Sequence, residues 1–90
     1  MPSYLVETYL PRGRAGERTA LDQQARTAAE ELTHERTRVR FECSIYVPED
    51  EICFFVFDAP AGRDAALVAG HAGLRPVRVV EAIPSEKEER

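Results

Sequence analysis

The sequence has no long hydrophobic run and no excess of basic residues, and each absence excludes a class of function. No stretch approaches the roughly 20 apolar residues that a membrane-spanning helix needs. The formal net charge of −4 offers no concentrated basic surface to a nucleic-acid backbone. The amino-terminal segment also lacks the basic and apolar parts of a secretory signal. We therefore expect a cytoplasmic protein with neither a membrane nor a nucleic acid among its partners.

Cysteine and histidine are scarce, and no motif that uses them is present. The chain has two of each. It has no HExxH or CxxC pattern, no glycine-rich phosphate loop and no spacing typical of a catalytic triad. Two cysteines without an export signal suggest reduced thiols. His34 and His71 are too far apart in sequence to form a motif of their own.

Hydrophobic periodicity predicts four strands and two helices in one small domain, residues 1–84. Apolar residues recur on one helical face from Leu21 to Leu32, whereas residues 37–47 alternate with period two. The acidic segment 48–51 is typical of a turn. The charged tail, residues 85–90, is expected to be disordered. The predicted elements, in order, are strand 4–10, helix 17–33, strand 37–47, strand 52–57, helix 63–72 and strand 77–83.

The order βαββαβ is typical of the ferredoxin-like α+β fold, a four-stranded antiparallel sheet with two helices on one face. The helices leave the other face of the sheet uncovered. A chain of 90 residues buries only roughly 60% of the surface that it exposes when unfolded. We therefore expect a second copy of the chain to cover the bare face and form a homodimer.

The hairpin between the second and third strands assigns residues to faces. Counting residues 48–51 as a four-residue loop places Tyr46 opposite Cys53 and Ser44 opposite Phe55, and opposed residues share a face. Cys43 then lies on the other face as a small core residue, and no intrachain disulfide is expected. The face assigned away from the helices carries Glu42, Ser44, Tyr46, Cys53, Phe55 and Phe57; the face assigned to the helices carries Phe41, Cys43, Ile45, Phe54 and Val56.

A pocket is expected on the face assigned away from the helices. A carboxylate in mid-strand belongs on the less buried face, which places Glu7 and Tyr9 beside Cys53. Carboxylates, a thiol and phenols over an aromatic floor suit a small polar ligand or a divalent metal. The alternative is an interface whose buried polar groups satisfy one another. The predicted ligand-binding residues are Glu7, Tyr9, Glu42, Ser44, Tyr46 and Phe55.

The two histidines receive different interpretations. His34 lies at the end of the first helix, where the helix macrodipole favours a histidine without any further role. His71 falls on the predicted sheet-facing side of the second helix, where it either packs at the edge of the core or binds a ligand. The predicted metal ligands are Glu7, Cys53 and His71.

Three segments resemble a family of small bacterial proteins. They are "YLVETYLP", "SIYVPEDEICFFVFDAP" and the pair "HAGL" and "VRVVEAIP", and together they span nearly the whole chain. The family is largely of unknown function, and its best-described branch binds nickel. The resemblance implies a ferredoxin-like fold that forms a dimeric α+β barrel. The nickel-binding branch has histidines in its first strand, where this chain has Val6, Glu7, Thr8 and Tyr9.

The sequence therefore predicts a homodimeric protein that binds a small ligand or a divalent metal such as nickel. One alternative is a cofactor-free enzyme of the monooxygenase or isomerase type, for which Glu7 or His71 would serve as the general base. Another is a structural or regulatory dimer whose polar face only fixes pairing. Whether the protein is an enzyme stays open on the sequence.

Overall fold

Four strands and two helices form two layers, a sheet and a pair of helices that cover one of its faces. The computed structural model describes residues 1–85. Its elements are β1 (Ser3–Tyr9), a 3-10 helix (Arg12–Glu17), α1 (Arg18–His34), β2 (Arg40–Val47), β3 (Ile52–Asp58), α2 (Gly62–His71) and β4 (Pro76–Ala82). The predicted βαββαβ order is confirmed, and a 3-10 helix replaces the expected loop before α1. We predicted disorder for the tail, residues 85–90. Residues 86–90 lie outside the described residues.

The sheet has the order β2-β3-β1-β4 with antiparallel neighbours, which is the ferredoxin-like topology. The predicted hairpin register is confirmed, since Tyr46 pairs with Cys53 and Ser44 with Phe55. One irregularity in β2 was not expected. The register shifts between Phe41 and Cys43, so Glu42 occupies a bulge and Phe41 moves to the face of its partner Phe57.

The core forms between the sheet and small residues of the two helices. Phe55 and Phe57 on β3 are fully buried, and their burial contributes roughly 1.5–3 kcal/mol each. The helices approach them through alanines, which leave room for the aromatic rings. The predicted helical face is confirmed, with Leu21 partly buried and Ala25, Ala28 and Leu32 in the core. The buried residues of the helices are Ala25, Ala28, Ala29, Leu32, Ala65, Val68 and Ala69.

The end of α2 is set by a glycine in the left-handed region. Gly73 has φ +81°, and the N–H of Leu74 donates to the carbonyl of Ala69 at 2.9 Å. This hydrogen bond is the Schellman arrangement that caps helix carboxyl termini. The turn fixes the path of the chain into β4. No helix within residues 1–85 is both long enough and apolar enough to span a membrane.

The helices cover the opposite face of the sheet from the one predicted. Cys53, Phe55 and Phe57 are fully buried beneath them, whereas Ile45 is 50% exposed on the other side. The assignment failed because β3 is apolar on both faces, so alternation along it does not indicate which face the helices take. Cys43 is accordingly exposed, and the prediction that it belongs to the core was wrong.

Candidate functional site

The predicted ligand-binding residues divide between the two faces of the sheet. Glu7 pairs with Phe54 and Thr8 pairs with Cys53, so Glu7 and Cys53 point to opposite faces. Glu7 and Tyr9 lie on the face without helices. Ser44, Tyr46 and Phe55 lie beneath the helices with Cys53, and Glu42 lies in the bulge at the sheet edge. The expectation that all of them line one pocket was wrong.

The face without helices, which we call the open face, is mainly apolar. Counting valine, leucine, isoleucine and phenylalanine, strand alternation and the register place one apolar residue of β1, two of β2, three of β3 and one of β4 on it. These residues are half-buried by one another, except Ile45, which is exposed. They are Leu5, Ile45, Val47, Ile52, Phe54, Val56 and Val80. The open face is therefore an apolar surface, where a mixture of polar and aromatic groups was expected.

An ion pair interrupts the open face beside Leu5. The Nε of Arg78 on β4 donates to Glu7 Oε1 at 2.8 Å, and the two residues are paired in the register. The Glu7 side chain is 17% exposed and that of Arg78 is 66% exposed. Arg78 was missed from the sequence, although an antiparallel β4 beside β1 would have placed it opposite Glu7.

A second polar group lies at the far end of the open face. Asp58 accepts hydrogen bonds from Ser3 at 2.9 Å and from Arg40 at 3.0 Å. A hydrogen bond to Asp58 raises the pKa of the Glu42 carboxyl, and burial adds to this shift. Burial acts to raise the pKa of Asp58, but hydrogen bonds from Glu42, Ser3 and Arg40 together hold it below its ordinary value. Glu42 is thus the carboxyl of the pair that takes up a proton first.

Tyr9 is attached to the β2–β3 turn. Its hydroxyl donates to Glu51 Oε1 at 3.2 Å, and the Glu51 carboxylate raises the pKa of the phenol. The backbone N–H of Arg12 donates to the other carboxylate oxygen at 2.9 Å and lowers the pKa of Glu51. Tyr9 is 61% exposed, so its ring remains available at the rim of the open face.

A closed polar layer lies between α1 and the sheet. Arg18 donates from Nε to Ser44 Oγ at 2.9 Å and from Nη2 to the Ser44 carbonyl at 3.0 Å. The Tyr46 hydroxyl donates to the Leu10 carbonyl at 2.8 Å, and the Thr8 hydroxyl donates to the Cys53 carbonyl at 3.1 Å. These polar groups satisfy one another within a single chain, whereas the alternative weighed from the sequence placed such groups in an interface. Arg18 is the hydrogen-bond partner of Ser44, and the position of Arg18 on α1 does not predict this contact.

Cys53 is a buried and protonated thiol within this layer. Desolvation raises its pKa, and the nearby Asp22 carboxylate raises it further. Asp22 Oδ1 is buried and has no hydrogen-bond partner within residues 1–85. Because the thiolate is the reactive form, the thiol is expected to be inert.

We predict that Cys53 of a Cys43→Ser variant reacts with iodoacetamide at least about tenfold more slowly in the folded protein than in urea, since its side chain has no exposed surface. The rate is measured by mass spectrometry at fixed pH. A Cys53→Ser variant, which keeps the exposed Cys43, serves as the control for reagent access. Equal rates for Cys53 in folded and unfolded protein would contradict its burial.

His71 lies at the end of α2 and faces α1, not the sheet as predicted. Its Nε2 is 2.9 Å from Glu31 Oε1, across a groove of about 490 Å³ that Gln24 and Thr27 also line. Both side chains are substantially exposed. His34 is the last residue of α1 and is exposed. This position agrees with a histidine that only interacts favourably with the helix macrodipole.

The predicted metal ligands do not meet within one chain. Glu7 is on the open face, Cys53 is under the helices and His71 is in the groove between α1 and α2. Within the described residues, no three side chains of histidine, cysteine, aspartate or glutamate are placed to hold a metal ion together. A nickel site needs several such donors, so residues 1–85 of a single chain do not fit one.

Comparisons with known proteins support the fold. No protein-family model matches the chain, and no curated protein matches its sequence. Among solved structures, the crystal structure of SCO4226 from Streptomyces coelicolor A3(2) is similar, with a TM-score of 0.70. The match covers 93% of this chain and 99% of that chain at 18% sequence identity. At this identity the similarity establishes the architecture and leaves the function open.

Proposed function

We propose that the protein is a homodimer that binds a small ligand, with the open faces of two sheets packed against each other. The observation that carries the proposal is the open face itself. It presents seven apolar side chains on four strands, and no element within residues 1–85 covers them. Monomeric soluble proteins seldom leave a contiguous apolar surface of this extent in water.

A second copy of the chain is the partner that best fits this surface. In a two-fold dimer the same patch occupies both sides, so apolar residues meet apolar residues without a separate evolved partner. The charged groups of the open face are already paired within the chain, as Glu7 with Arg78 and Asp58 with Arg40. Burial of such pairs costs less than burial of lone charges.

The ligand site would lie where Glu7, Arg78 and Tyr9 border the apolar surface. A ligand pocket combines apolar walls with a few polar groups that fix orientation. One chain supplies a single wall of such a pocket, and the sheet of the second subunit would supply the other. Because the donors within residues 1–85 of one chain do not assemble a metal site, we favour an organic ligand over a metal ion.

Native mass spectrometry of untagged protein tests this proposal. We expect a dimeric mass with a bound small molecule that denaturation releases. A double variant, Glu7→Gln with Arg78→Gln, leaves no lone charge in the interface, so it should keep the dimeric mass and lose at least about tenfold in occupancy, since it removes the charged hydrogen-bonding groups at the site. Glu49→Gln, an exposed change in the β2–β3 turn, is the control. A monomeric mass at micromolar concentration would refute the dimer, and a dimer without any adduct after mild purification would refute the ligand.

A further inference from the structure

A second hollow lies at the end of β1, beside the proposed dimer site, with which it shares Tyr9. It has a volume of about 400 Å³, which is within the range of small-ligand pockets. Thr8, Tyr9 and Leu10 form one side, and Arg14 from the 3-10 helix forms another. The turn between α2 and β4, which the left-handed Gly73 shapes, closes the third side with Arg75.

The charged side chains of this hollow have one sign. Arg14 and Arg75 line it, and none of the lining residues is acidic. This basic lining lies in a chain with 16 acidic and 12 basic residues. The electrostatic character of the hollow is therefore opposite to that of the chain as a whole.

Arg14 is oriented by its neighbour Glu17. Its Nε and Nη2 donate to the two carboxylate oxygens of Glu17 at 3.0 and 2.8 Å, and the remaining N–H groups stay available. A guanidinium held in one plane loses less freedom when it binds a carboxylate or phosphate. The Glu17 carboxylate offsets part of the positive charge of Arg14. The main contribution of Arg14 to the hollow is therefore a guanidinium of fixed orientation.

Arg75 provides the uncompensated charge. Within residues 1–85 it forms no ion pair, as is also true of Arg18, Arg26, Arg36, Arg38 and Arg63, but none of those five lines the hollow. An arginine at a concave site with no internal partner is suited to an anionic group from outside, because guanidinium recognises carboxylate and phosphate through paired hydrogen bonds.

The floor of the hollow is apolar. Leu10 and Leu74 are 3% and 8% exposed, and Leu21 packs against the core beside them. We propose that this hollow binds a small molecule whose carboxylate or phosphate group lies against Arg75 and Arg14. The site is complete within one chain, so it does not depend on the dimer.

Titration of isotopically labelled protein tests the site, with succinate and inorganic phosphate at millimolar concentration as the probes. We expect the backbone amide signals of Leu10, Leu74 and Arg75 to shift along one saturating curve with at least one probe. Arg75→Gln should weaken this binding about tenfold or more, since it removes a charge-assisted hydrogen bond. The probe that saturates identifies the anionic group as carboxylate, phosphate or either.

The control is Arg38→Gln, because Arg38 is exposed on the segment between α1 and β2 and does not line the hollow. It should leave the affinity unchanged. Arg14→Gln is a second variant within the hollow and should also weaken binding. Equal losses in Arg38→Gln and Arg75→Gln would mean general charge attraction and overturn the proposal, as would shifts that never saturate with either probe. Spectra of the free variants verify the fold in each case.

Discussion

Replacing Ile45 by lysine is expected to convert the dimer into a folded monomer. Ile45 lies on the edge strand β2, is 50% exposed in one chain, and would be buried in the proposed interface. In a two-fold dimer each substitution counts twice. Because half of each Ile45 side chain is already buried in one chain, loss of the two removes roughly 1.5–3 kcal/mol, at least about tenfold in Kd, and the two ammonium groups add desolvation cost. Light scattering after size exclusion measures the mass across a dilution series.

Leu67→Lys is the matched control for this experiment. Leu67 is an aliphatic residue of α2 with 51% exposure, nearly the same as Ile45, but it lies on the helical layer. It should remain dimeric at the concentrations where Ile45→Lys is monomeric. Circular dichroism distinguishes dissociation from unfolding. If both variants stay dimeric, or both dissociate alike, the open face is not the interface.

Replacing Phe55 by alanine is expected to cost about 3–5 kcal/mol of unfolding free energy. Phe55 has no exposed surface and stands next to the ring of Phe41, with 6.3 Å between centroids. Its removal leaves a cavity among alanines, whose short side chains cannot move in to fill it. Urea denaturation, followed by circular dichroism in the Ile45→Lys background, gives the free energy without a contribution from association.

Phe54→Ala is the adjacent control on the same strand. Phe54 is half-buried on the open face, so its loss should cost clearly less than the loss of Phe55 in the monomer. The comparison tests the face assignment directly, since the hairpin parity read from the sequence assigned Phe54 to the helix-covered core. A larger loss for Phe54 than for Phe55 would mean that the helices cover the other face.

The register of the hairpin was accessible from the sequence, but the identity of its buried face was not. The length of the turn at 48–51 fixes Tyr46 opposite Cys53, and this is a local property. Which side the helices take depends on packing across the whole sheet. The sequence analysis grouped Ser44 with Cys53 on a face away from the helices, yet Arg18 reaches Ser44 from α1 and satisfies it beneath them.

The candidate sites show the same division. The sequence placed Glu7 and Tyr9 on the less buried face, and both are on the open face. It did not reveal the contact of Arg78 with Glu7, or that Arg75 and Arg14 line one hollow, because both arrangements bring together segments that are far apart in the chain. The bulge at Glu42 also has no local signal, and it moved Phe41 into the core.

The sequence by itself determined the element order, the helical face from Leu21 to Leu32 and the antiparallel register, because hydrophobic period and turn length act over a few residues. Only the tertiary structure decided which face of β3 is buried, since that strand is apolar on both sides. The same packing places Glu7 and Cys53 on opposite faces of the sheet. The structure therefore has a closed polar layer under the helices and an apolar open face in place of the predicted metal pocket. The buried face depends on the burial free energy summed over the whole sheet, and no pattern within a few residues of sequence predicts that sum.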